Sequence, residues 1–339
     1  MAMLLKKPMA PNKESRVNEL TAVMNREKFD APPGDVADGT DLIRWKDFRA
    51  EYHQAQKLES DAPFPLQIDF ELTSQCNMRC SFCVHGHERV PKKRLPFEVF
   101  KRVIDEGSRY GLTSIKMNYI NEPLLVKDID RYIDYAKSKG VLNIYFATNG
   151  TLLSPDMAAK LIEVGTSKVM ISLDATTPET FRVMRNSDDF EKIIANIDGL
   201  LSMRAELGIT YPLVRVNFLK TKLNQHEADD FIERWYGVAD MIGFQDQVGV
   251  PGVDDPTLGG YDVDDFRCSF PFKMIVIDSG GHLLPCCTFN GRDLALGHID
   301  EMTIKEAWDG EKMRDLRALH KRGGYKENAA CLHCINGCS

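Results

Sequence analysis

The sequence predicts an α/β protein, a partial (β/α)6 parallel barrel followed by a small C-terminal cysteine-rich domain made of a hairpin and helices. Six short strand segments alternate with longer helical segments after residue 63, which is typical of a parallel sheet with right-handed crossovers. Six units are fewer than the eight of a closed barrel, so we expect an open one. After Gln245 the alternation stops, and six of the nine cysteines lie beyond residue 267.

The individual elements are predicted from apolar residues that recur at period 2 or at helical spacing. Ile68 and Phe70 alternate with polar residues in the first strand, and Gly140 marks the end of a helix. The predicted strands cover residues 66–72, 113–119, 142–147, 168–173, 213–218 and 239–244. The predicted helices cover residues 96–110, 127–139, 154–164, 190–207 and 226–236, and a hairpin at 273–277 and 282–284 precedes short helices at 303–308 and 311–320.

We divide the chain into three regions. Residues 1–62 are an N-terminal extension that is partly helical, because apolar residues such as Trp45 and Phe48 recur at helical spacing between residues 41 and 58. We expect this helix to pack on the main body, with a surface for a protein partner as the alternative. The barrel covers residues 63–247, and the cysteine-rich domain covers residues 248–339.

The composition is that of a soluble globular protein. Of the 339 residues, 43% are hydrophobic and 27% are charged, and the net charge is −7. An acidic chain is not expected to bind nucleic acid through phosphate contacts alone. No apolar run approaches the ~20 residues that span a bilayer, and the first residues lack the apolar core of a signal peptide. We therefore predict a cytoplasmic protein without a nucleic-acid or membrane partner.

Nine cysteines in a large chain from a reducing compartment are more typical of metal ligands or catalytic groups than of disulfides. The first group is Cys76, Cys80 and Cys83, in a C-x3-C-x2-C loop directly after the first strand. Zinc and iron–sulfur sites normally have four protein ligands. Three thiolates without an obvious fourth ligand favour a four-iron cluster with one open iron. The alternative is a zinc site completed by His85 or His87.

This loop resembles the CxxxCxΦC signature of the radical S-adenosylmethionine (SAM) superfamily, with Phe82 at the aromatic position. The resemblance implies a 4Fe–4S cluster on the three cysteines and SAM on its open iron. It also implies reductive cleavage of SAM to a 5′-deoxyadenosyl radical that abstracts hydrogen from a substrate. A flavodoxin- or ferredoxin-type protein is the expected electron donor.

Residues after the next strands are also similar to the family pattern. Glu122, in Asn121-Glu122-Pro123, matches the acidic residue that holds the SAM amine, although two glycines of the family stretch are missing. Four further positions match SAM-contacting positions of the family, namely Asn149, Ser172, Asp174 and Arg185. Of these, Arg185 resembles the arginine that pairs with the SAM carboxylate. Each match has a structural alternative: an N-terminal helix acid for Glu122, a turn with positive φ for Asn149, and a helix cap for Ser172 and Asp174.

The second cysteine group lies after residue 267. Cys331 and Cys334 form a two-ligand clip, and the turn at Gly280-Gly281 can return Cys286 beside Cys268. Four thiolates suit a closed cluster, and they suit zinc as the alternative. The segment resembles the SPASM/twitch extension of radical SAM enzymes, in the one-cluster twitch form of 2-deoxy-scyllo-inosamine dehydrogenase-type enzymes. The resemblance implies that Cys268, Cys286, Cys331 and Cys334 hold a second, auxiliary 4Fe–4S cluster.

Two cysteines remain outside these sets. Cys287 is predicted either to donate a hydrogen atom to the substrate or to be a small buried residue, and Cys338 is expected to be incidental.

The expected activity is that of a radical SAM oxidoreductase, a dehydrogenase or an epimerase. A second cluster near the substrate can accept an electron, which favours oxidation of a carbinol, and a thiol donor favours epimerisation. Both reactions suit a sugar or an aminocyclitol, whose hydroxyls Gln245, Asp246 and Gln247 are placed to bind. One alternative is a maturase of a ribosomally made peptide, although residues 1–62 show little β pattern for a leader-binding module. A non-enzymatic zinc-binding scaffold is the other.

Overall fold

A mixed sheet of ten strands organises the residues that this computed structural model describes, namely 21–22, 31–34, 39–250 and 266–336. The strands are β1 Thr21–Ala22, β2 Gln67–Phe70, β3 Ser114–Lys116, β4 Asn143–Thr148, β5 Lys168–Ser172, β6 Leu213–Lys220, β7 Met241–Asp246, β8 Met274–Ile277, β9 His282–Leu284 and β10 Gly297–His298. Their spatial order is β1-β7-β6-β5-β4-β3-β2-β8-β9-β10. Strands β2 to β7 are parallel neighbours in chain order. The predicted six-stranded partial parallel barrel is therefore confirmed.

Helices connect the parallel strands, as predicted. They are α1 Gly39–Gln56, α2 Val84–His87, α3 Phe97–Arg109, α4 Ile129–Ser138, α5 Pro155–Glu163, α6 Pro178–Arg185, α7 Phe190–Glu206, α8 Ala228–Trp235, α9 Ile304–Asp309, α10 Glu311–Lys321 and α11 Ala329–Asn336. Two helices are not among the predicted elements. Helix α6 begins at a Thr177 cap with proline in its first turn, and α11 carries the last two described cysteines.

The parallel strands have one apolar and one polar face. On β2, Ile68 and Phe70 are fully buried, and the Phe70 ring lies 4.6 Å from that of Phe100 on α3. The alternate residue Gln67 faces the inside of the barrel, where its Oε1 accepts a hydrogen bond from Tyr145 Oη of β4 at 2.8 Å. A parallel sheet covered by helices on both faces would be apolar throughout. The polar inner face therefore lines a lumen instead of a second apolar core.

The C-terminal hairpin continues the barrel sheet. Strand β8 pairs with β2 in parallel, with Gln67 opposite Met274 and Phe70 opposite Ile277, and β9 pairs with β8 antiparallel, as predicted. Ser279, in the hairpin turn, donates from its backbone nitrogen and its hydroxyl to Glu71 Oε2, at 3.0 and 2.8 Å. The hairpin is thus held against the first barrel strand instead of forming a separate layer.

Helix α1 packs at the amino-terminal ends of the strands. Trp45 and Phe48 are buried against Leu66 and Leu142, which directly precede β2 and β4. The helix begins two residues earlier than predicted, and its expected packing on the main body is confirmed. Among the described helices, none is long and apolar enough to cross a bilayer.

Candidate functional site

A cavity of about 340 Å³ lies at the carboxyl ends of the parallel strands, where active sites of parallel α/β sheets are found. It brings together every residue that the sequence predicted for the first cluster and for SAM, and it also reaches the spare cysteine next to the second site. The predicted residues that line it are Cys76, Cys80, Phe82, Cys83, Glu122, Asn149, Ser172, Asp174, Arg185 and Cys287.

The three-cysteine loop turns tightly between β2 and α2. The Cys83 backbone nitrogen donates to Cys80 O at 3.2 Å, and a Cβ on Gly86 would lie 2.2 Å from that same oxygen, so the turn requires glycine there. Burial raises the pKa of the Cys76 thiol to about 11 and that of Cys83 to about 12. Thiolates at these positions need a nearby positive charge, which cluster iron supplies. The donor set therefore fits a three-thiolate cluster.

Asn149 joins the end of β4 to the cysteine loop. Its Nδ2 donates to Asn77 Oδ1 at 2.8 Å and lies 3.9 Å from Cys76 Sγ, and its Oδ1 accepts from Thr151 Oγ1 at 2.6 Å. The positive φ in this turn belongs to Gly150, at 80°, so the alternative of an Asn149 turn residue with positive φ is wrong. Asn149 instead orients the loop that carries the first predicted ligand.

Glu122 is fully buried in the cavity wall. Its Oε1 accepts from Thr148 Oγ1 at 2.7 Å and from Leu124 N at 3.0 Å, and its Oε2 accepts from Asn149 N at 2.8 Å. Burial raises the pKa of this carboxyl to about 7, against the lowering effect of those hydrogen bonds. The alternative role of a helix N-terminal acid is also realised, because Glu122 caps the 3-10 helix Pro123–Leu125. A cationic amine in the cavity would favour the ionised form.

Asp174 and Arg185 form a buried ion pair in the wall of the cavity. Arg185 Nη2 contacts Asp174 Oδ2, its Nη1 lies 3.6 Å from Cys80 Sγ, and its guanidinium stands over the Phe82 ring at 5.1 Å. Asp174 has φ of 63°, and its Oδ1 accepts from Leu219 N at 2.7 Å. Helix α6 is capped by Thr177, so the alternative that Ser172 or Asp174 caps this helix is wrong.

The second cysteine group surrounds a cavity of its own. Its wall includes all four predicted ligands, Cys268, Cys286, Cys331 and Cys334. The last two lie on α11 at i and i+3, on one side of the helix. Burial raises the pKa of the Cys331 and Cys334 thiols to about 12, and it raises that of Cys286 further. The four-thiol set fits a closed cluster.

His320 supports this second site from outside the thiol set. Its Nδ1 accepts from the Cys268 backbone nitrogen at 3.2 Å, and its Nε2 lies 3.7 Å from Cys331 Sγ. Because Nδ1 is the acceptor, the proton of the neutral ring is on Nε2 and points at the sulfur. His320 is not among the predicted site residues; its only signal in the sequence is a histidine in the last turn of a predicted helix.

The zinc alternatives require three or more ligating side chains around one ion. Among the residues that the structure describes, no group of three or more His, Cys, Asp or Glu side chains has the spacing that holds a single metal ion. His87 is exposed, and its Nε2 contacts the backbone oxygen of Ser81 at 2.6 Å. His85 is buried, and burial lowers its pKa to about 4.

The predicted substrate contacts are partly visible. Gln245 and Gln247 line the first cavity. The side chain of Asp246 and all of Cys338 lie outside the described residues.

The polar residues of the barrel lumen are not among the predicted site residues. Lys116 lines the first cavity, and Asp69 lies below it, 3.6 Å from the Lys116 ammonium. Arg215 is 1% exposed, and its Nε and Nη2 make no hydrogen bond within the described part of the chain. A Cβ on Gly243 of the neighbouring strand would lie 2.1 Å from Arg215 Nη2. The signal was present: polar residues alternate along strands that helices cover on the outside.

Comparison with known proteins agrees with this architecture. Residues 70–217 match the family model described as the radical SAM superfamily, and residues 268–335 match the SPASM model, an iron–sulfur cluster-binding domain. Among curated proteins, the probable GTP 3′,8-cyclase of Methanocaldococcus jannaschii is 28% identical over 49% of this chain and 53% of its own length. The probable GTP 3′,8-cyclase of Sulfurisphaera tokodaii is 33% identical over 48% of this chain and 49% of its own length. The chain thus spans about half the length of these curated relatives.

Solved structures share the fold over most of the chain. BtrN in complex with AdoMet and 2-DOIA has a TM-score of 0.54 at 18% identity and covers 80% of this chain and 92% of its own. The protein anSMEcpe with bound AdoMet has a TM-score of 0.58 at 16% identity and covers 81% of this chain and 89% of its own. Streptococcus suis SuiB bound to precursor peptide SuiA has a TM-score of 0.55 at 16% identity and covers 89% of this chain and 78% of its own. The two family matches show that this chain carries a radical SAM domain at residues 70–217 and a SPASM iron–sulfur cluster-binding domain at residues 268–335, and the solved structures share its fold.

Proposed function

We propose that this enzyme oxidises or epimerises a small polar alcohol, of the sugar or aminocyclitol class, by hydrogen abstraction. Cys76, Cys80 and Cys83 would hold the SAM-binding cluster, and Cys268, Cys286, Cys331 and Cys334 would hold an auxiliary cluster. The chemistry that the cluster and SAM supply when bound is reductive formation of a 5′-deoxyadenosyl radical. The electron would come from a flavodoxin- or ferredoxin-type donor.

The protein's own residues would bind and orient SAM. Glu122, buried in the cavity wall, would bind the amine, and Arg185 would supply a guanidinium for the carboxylate. Asp174 holds that guanidinium in place through the ion pair, while Ser172 lines the wall beside it. The adjacent Asn149 fixes the cysteine loop. These are the roles that the family pattern assigns to these positions.

The observation that carries the proposal is the shared wall between the two cavities. Phe270 and Thr288 line both the SAM-site cavity and the four-cysteine cavity. Cys286 faces the second cavity and Cys287 faces the first, so two consecutive residues span the wall. A substrate in the first cavity would therefore lie one residue layer from the auxiliary cluster, which suits removal of one electron from a substrate radical.

The polar lumen supports a small hydroxylated substrate. Lys116, Asn118 and Asn217 line the cavity below the SAM site, and Asn217 Oδ1 is buried without a hydrogen-bond partner among the described residues. Unpaired buried polar atoms cost free energy unless a ligand satisfies them. Hydroxyl groups are the ligand groups that can both donate to and accept from such a wall.

Cys287 distinguishes the two outcomes of the reaction. Its side chain lines the cavity and is partly exposed there. As a hydrogen-atom donor it would return hydrogen to the opposite face of the substrate and give an epimer. Replacement by alanine would remove epimerisation and leave oxidation intact.

The test is an anaerobic incubation of the enzyme with SAM, reductant and carbon-deuterated candidates. The panel contains sugars, aminocyclitols, a nucleoside triphosphate and synthetic peptides, and the readout is deuterium in 5′-deoxyadenosine. Transfer from a sugar or cyclitol with formation of a ketone or epimer supports the proposal. Transfer only from a peptide would assign the enzyme to the peptide maturases, and transfer only from the nucleotide would place it with the cyclases.

Two variants separate the roles of the two sites. Cys76→Ala should abolish SAM cleavage. Cys286→Ala should keep some uncoupled cleavage and lose product. Normal product formation by Cys286→Ala would remove the auxiliary site from the mechanism.

A further inference from the structure

We infer that Lys116 and Asp69 form a proton-accepting site for the substrate hydroxyl, at the cavity that Lys116 and Cys287 both line. This inference rests on the proposed oxidation of an alcohol. It adds the group that receives the hydroxyl proton, a role that neither the cysteines nor the SAM contacts fill.

The two residues are neighbours in the sheet. Asp69 of β2 lies opposite Lys116 of β3 in the parallel register. Asp69 Oδ1 accepts from Gln67 Nε2 at 2.6 Å, while Oδ2 lies 3.6 Å from Lys116 Nζ and receives no hydrogen bond among the described residues. One carboxylate oxygen of Asp69, Oδ2, therefore lacks a hydrogen bond among the described residues and faces the Lys116 ammonium.

The lysine connects this oxygen to the cavity. The Asp69 side chain is 1% exposed, whereas that of Lys116 is 16% exposed and lines the same cavity as Cys76, Phe82 and Cys287. A substrate hydroxyl in this cavity would meet the ammonium group and not the carboxylate. Lys116 is accordingly the residue that touches the substrate, and Asp69 acts through it.

A purely structural role explains the pair less well. Two charges buried without full hydrogen bonding are seldom a net gain in stability. The structural pair of Asp240 and Arg204 shows the contrast, because the oxygen of Asp240 that faces the cation, Oδ2, accepts from Arg204 Nη1 at 2.6 Å and from Val214 N at 2.8 Å. At Asp69, by contrast, Oδ2 lies 3.6 Å from Lys116 Nζ and accepts no hydrogen bond among the described residues, so it can take up a proton.

The surrounding charges keep the carboxyl ready to accept that proton. Burial raises the pKa of Asp69 to about 6, and Lys116 and Lys273 oppose that rise. Tyr145 and Cys287 are the other titratable groups that interact with Asp69, and burial keeps both of them protonated near neutral pH. The carboxyl is therefore the group in this cluster that changes its charge nearest to neutral pH.

The oxidation step then balances. The carbinol carbon loses a hydrogen atom to the 5′-deoxyadenosyl radical, which becomes 5′-deoxyadenosine. The hydroxyl passes its proton to Lys116 while Lys116 passes one to Asp69 Oδ2. The cluster that Cys268, Cys286, Cys331 and Cys334 would hold would accept the one electron that the resulting ketyl radical must lose for the alcohol to become a ketone.

The experiment uses the reconstituted enzyme and the deuterated sugar or cyclitol that transfers deuterium in the screen above. Lys116→Met should lower ketone formation by about 100-fold or more, the usual contribution of general acid–base catalysis, and substrate-free 5′-deoxyadenosine formation is measured beside it as the readout of SAM cleavage. The matched control is Lys168→Met, because Lys168 is a buried lysine of β5 that does not line the cavity. It should form ketone at nearly the wild-type rate.

The pH profile separates proton transfer from a merely structural role. With wild-type enzyme, ketone formation should rise with pH as Asp69 loses its proton near pH 6, and Asp69→Asn should lose that rise. Ketone formation by Lys116→Met at the wild-type rate, or an unchanged rise in Asp69→Asn, would overturn the inference alone. A wild-type enzyme that cleaves SAM and takes deuterium from no alcohol would overturn the proposed function, and the inference with it.

Discussion

Asn149 Nδ2 donates to Asn77 Oδ1 at 2.8 Å and thereby ties the carboxyl end of the third parallel strand to the three-cysteine loop. The bond connects two segments that are distant in sequence, one of which carries the predicted cluster ligands. Since a loop held by one such bond gains about 1 kcal/mol from it, its loss should loosen the ligand geometry without unfolding the barrel.

We therefore expect Asn149→Ala to lower the iron content of the first cluster and to slow SAM cleavage about fivefold to tenfold, the rate factor that corresponds to that energy. Asn77→Ala should have the same effect, because it removes the other partner. Iron analysis and anaerobic 5′-deoxyadenosine formation measure it. The control is Asn143→Ala, at the opposite end of the same strand, where Asn143 Nδ2 donates to Ser114 Oγ. Equal losses in Asn143→Ala would show a general effect on β4.

Arg185 should matter for stability as well as for SAM binding. Its guanidinium pairs with the buried Asp174 carboxylate, and removal of one partner of a buried pair typically costs about 3–5 kcal/mol. Arg185→Met should lower the unfolding midpoint in urea and weaken SAM binding measured by calorimetry. The double variant Arg185→Met/Asp174→Asn should recover much of the stability, because no unpaired charge remains, and should still bind SAM weakly. Full recovery of binding in the double variant would contradict a direct role for Arg185.

Much of the site could be predicted because its chemistry depends on local spacing. The ligand loop is a short segment, and each predicted SAM contact directly follows a strand that alternation predicts. The C-terminal ends of parallel strands meet at one edge of the sheet, so the segments converge.

The remaining features depend on contacts between distant segments. The pairing of β8 with β2 joins residues about 200 positions apart, and no local pattern specifies it. Asp69 and Lys116 occupy polar positions in alternating strands, a pattern that ordinarily indicates a solvent-facing side. Their role became visible only when the structure placed that side inside the barrel.

Asp69 should also make the stability of the protein depend on pH. Its pKa is about 6 in the folded protein and 3.8 when unperturbed, so between these values the folded state binds more protons than the unfolded state. Stability must then fall as the pH rises through this window. We expect the free energy of unfolding of the wild type, relative to Asp69→Asn, to decrease from pH 4 to pH 6 and then to level off. Urea unfolding at a series of pH values measures this, and parallel curves for the two proteins would contradict the raised pKa.

Glu106 links the barrel to the C-terminal domain. From α3, its Oε2 accepts from Ile304 N at 3.1 Å and its Oε1 from Lys305 N at 2.9 Å, so it caps the first turn of α9 from another segment. Glu106→Ala should lower the stability by about 1–2 kcal/mol, as loss of a helix cap does, and should lower the thermal midpoint accordingly. Glu98→Ala is the matched control, because Glu98 lies on the exposed face of the same helix. An equal shift in both variants would show a loss of α3 helicity instead of a lost cap.

His320 should set the reduction potential of the auxiliary site. Its Nε2–H points at Cys331 Sγ, 3.7 Å away, while its Nδ1 is occupied by the Cys268 backbone nitrogen. A hydrogen bond to a ligand sulfur stabilises the more negative, reduced cluster and raises its potential. His320→Leu should therefore lower the midpoint potential in an EPR-monitored redox titration, with the iron content unchanged. His320→Gln, whose amide nitrogen reaches the place of Nε2, should restore the wild-type potential. If both variants titrate like the wild type, the imidazole serves only to position Cys268.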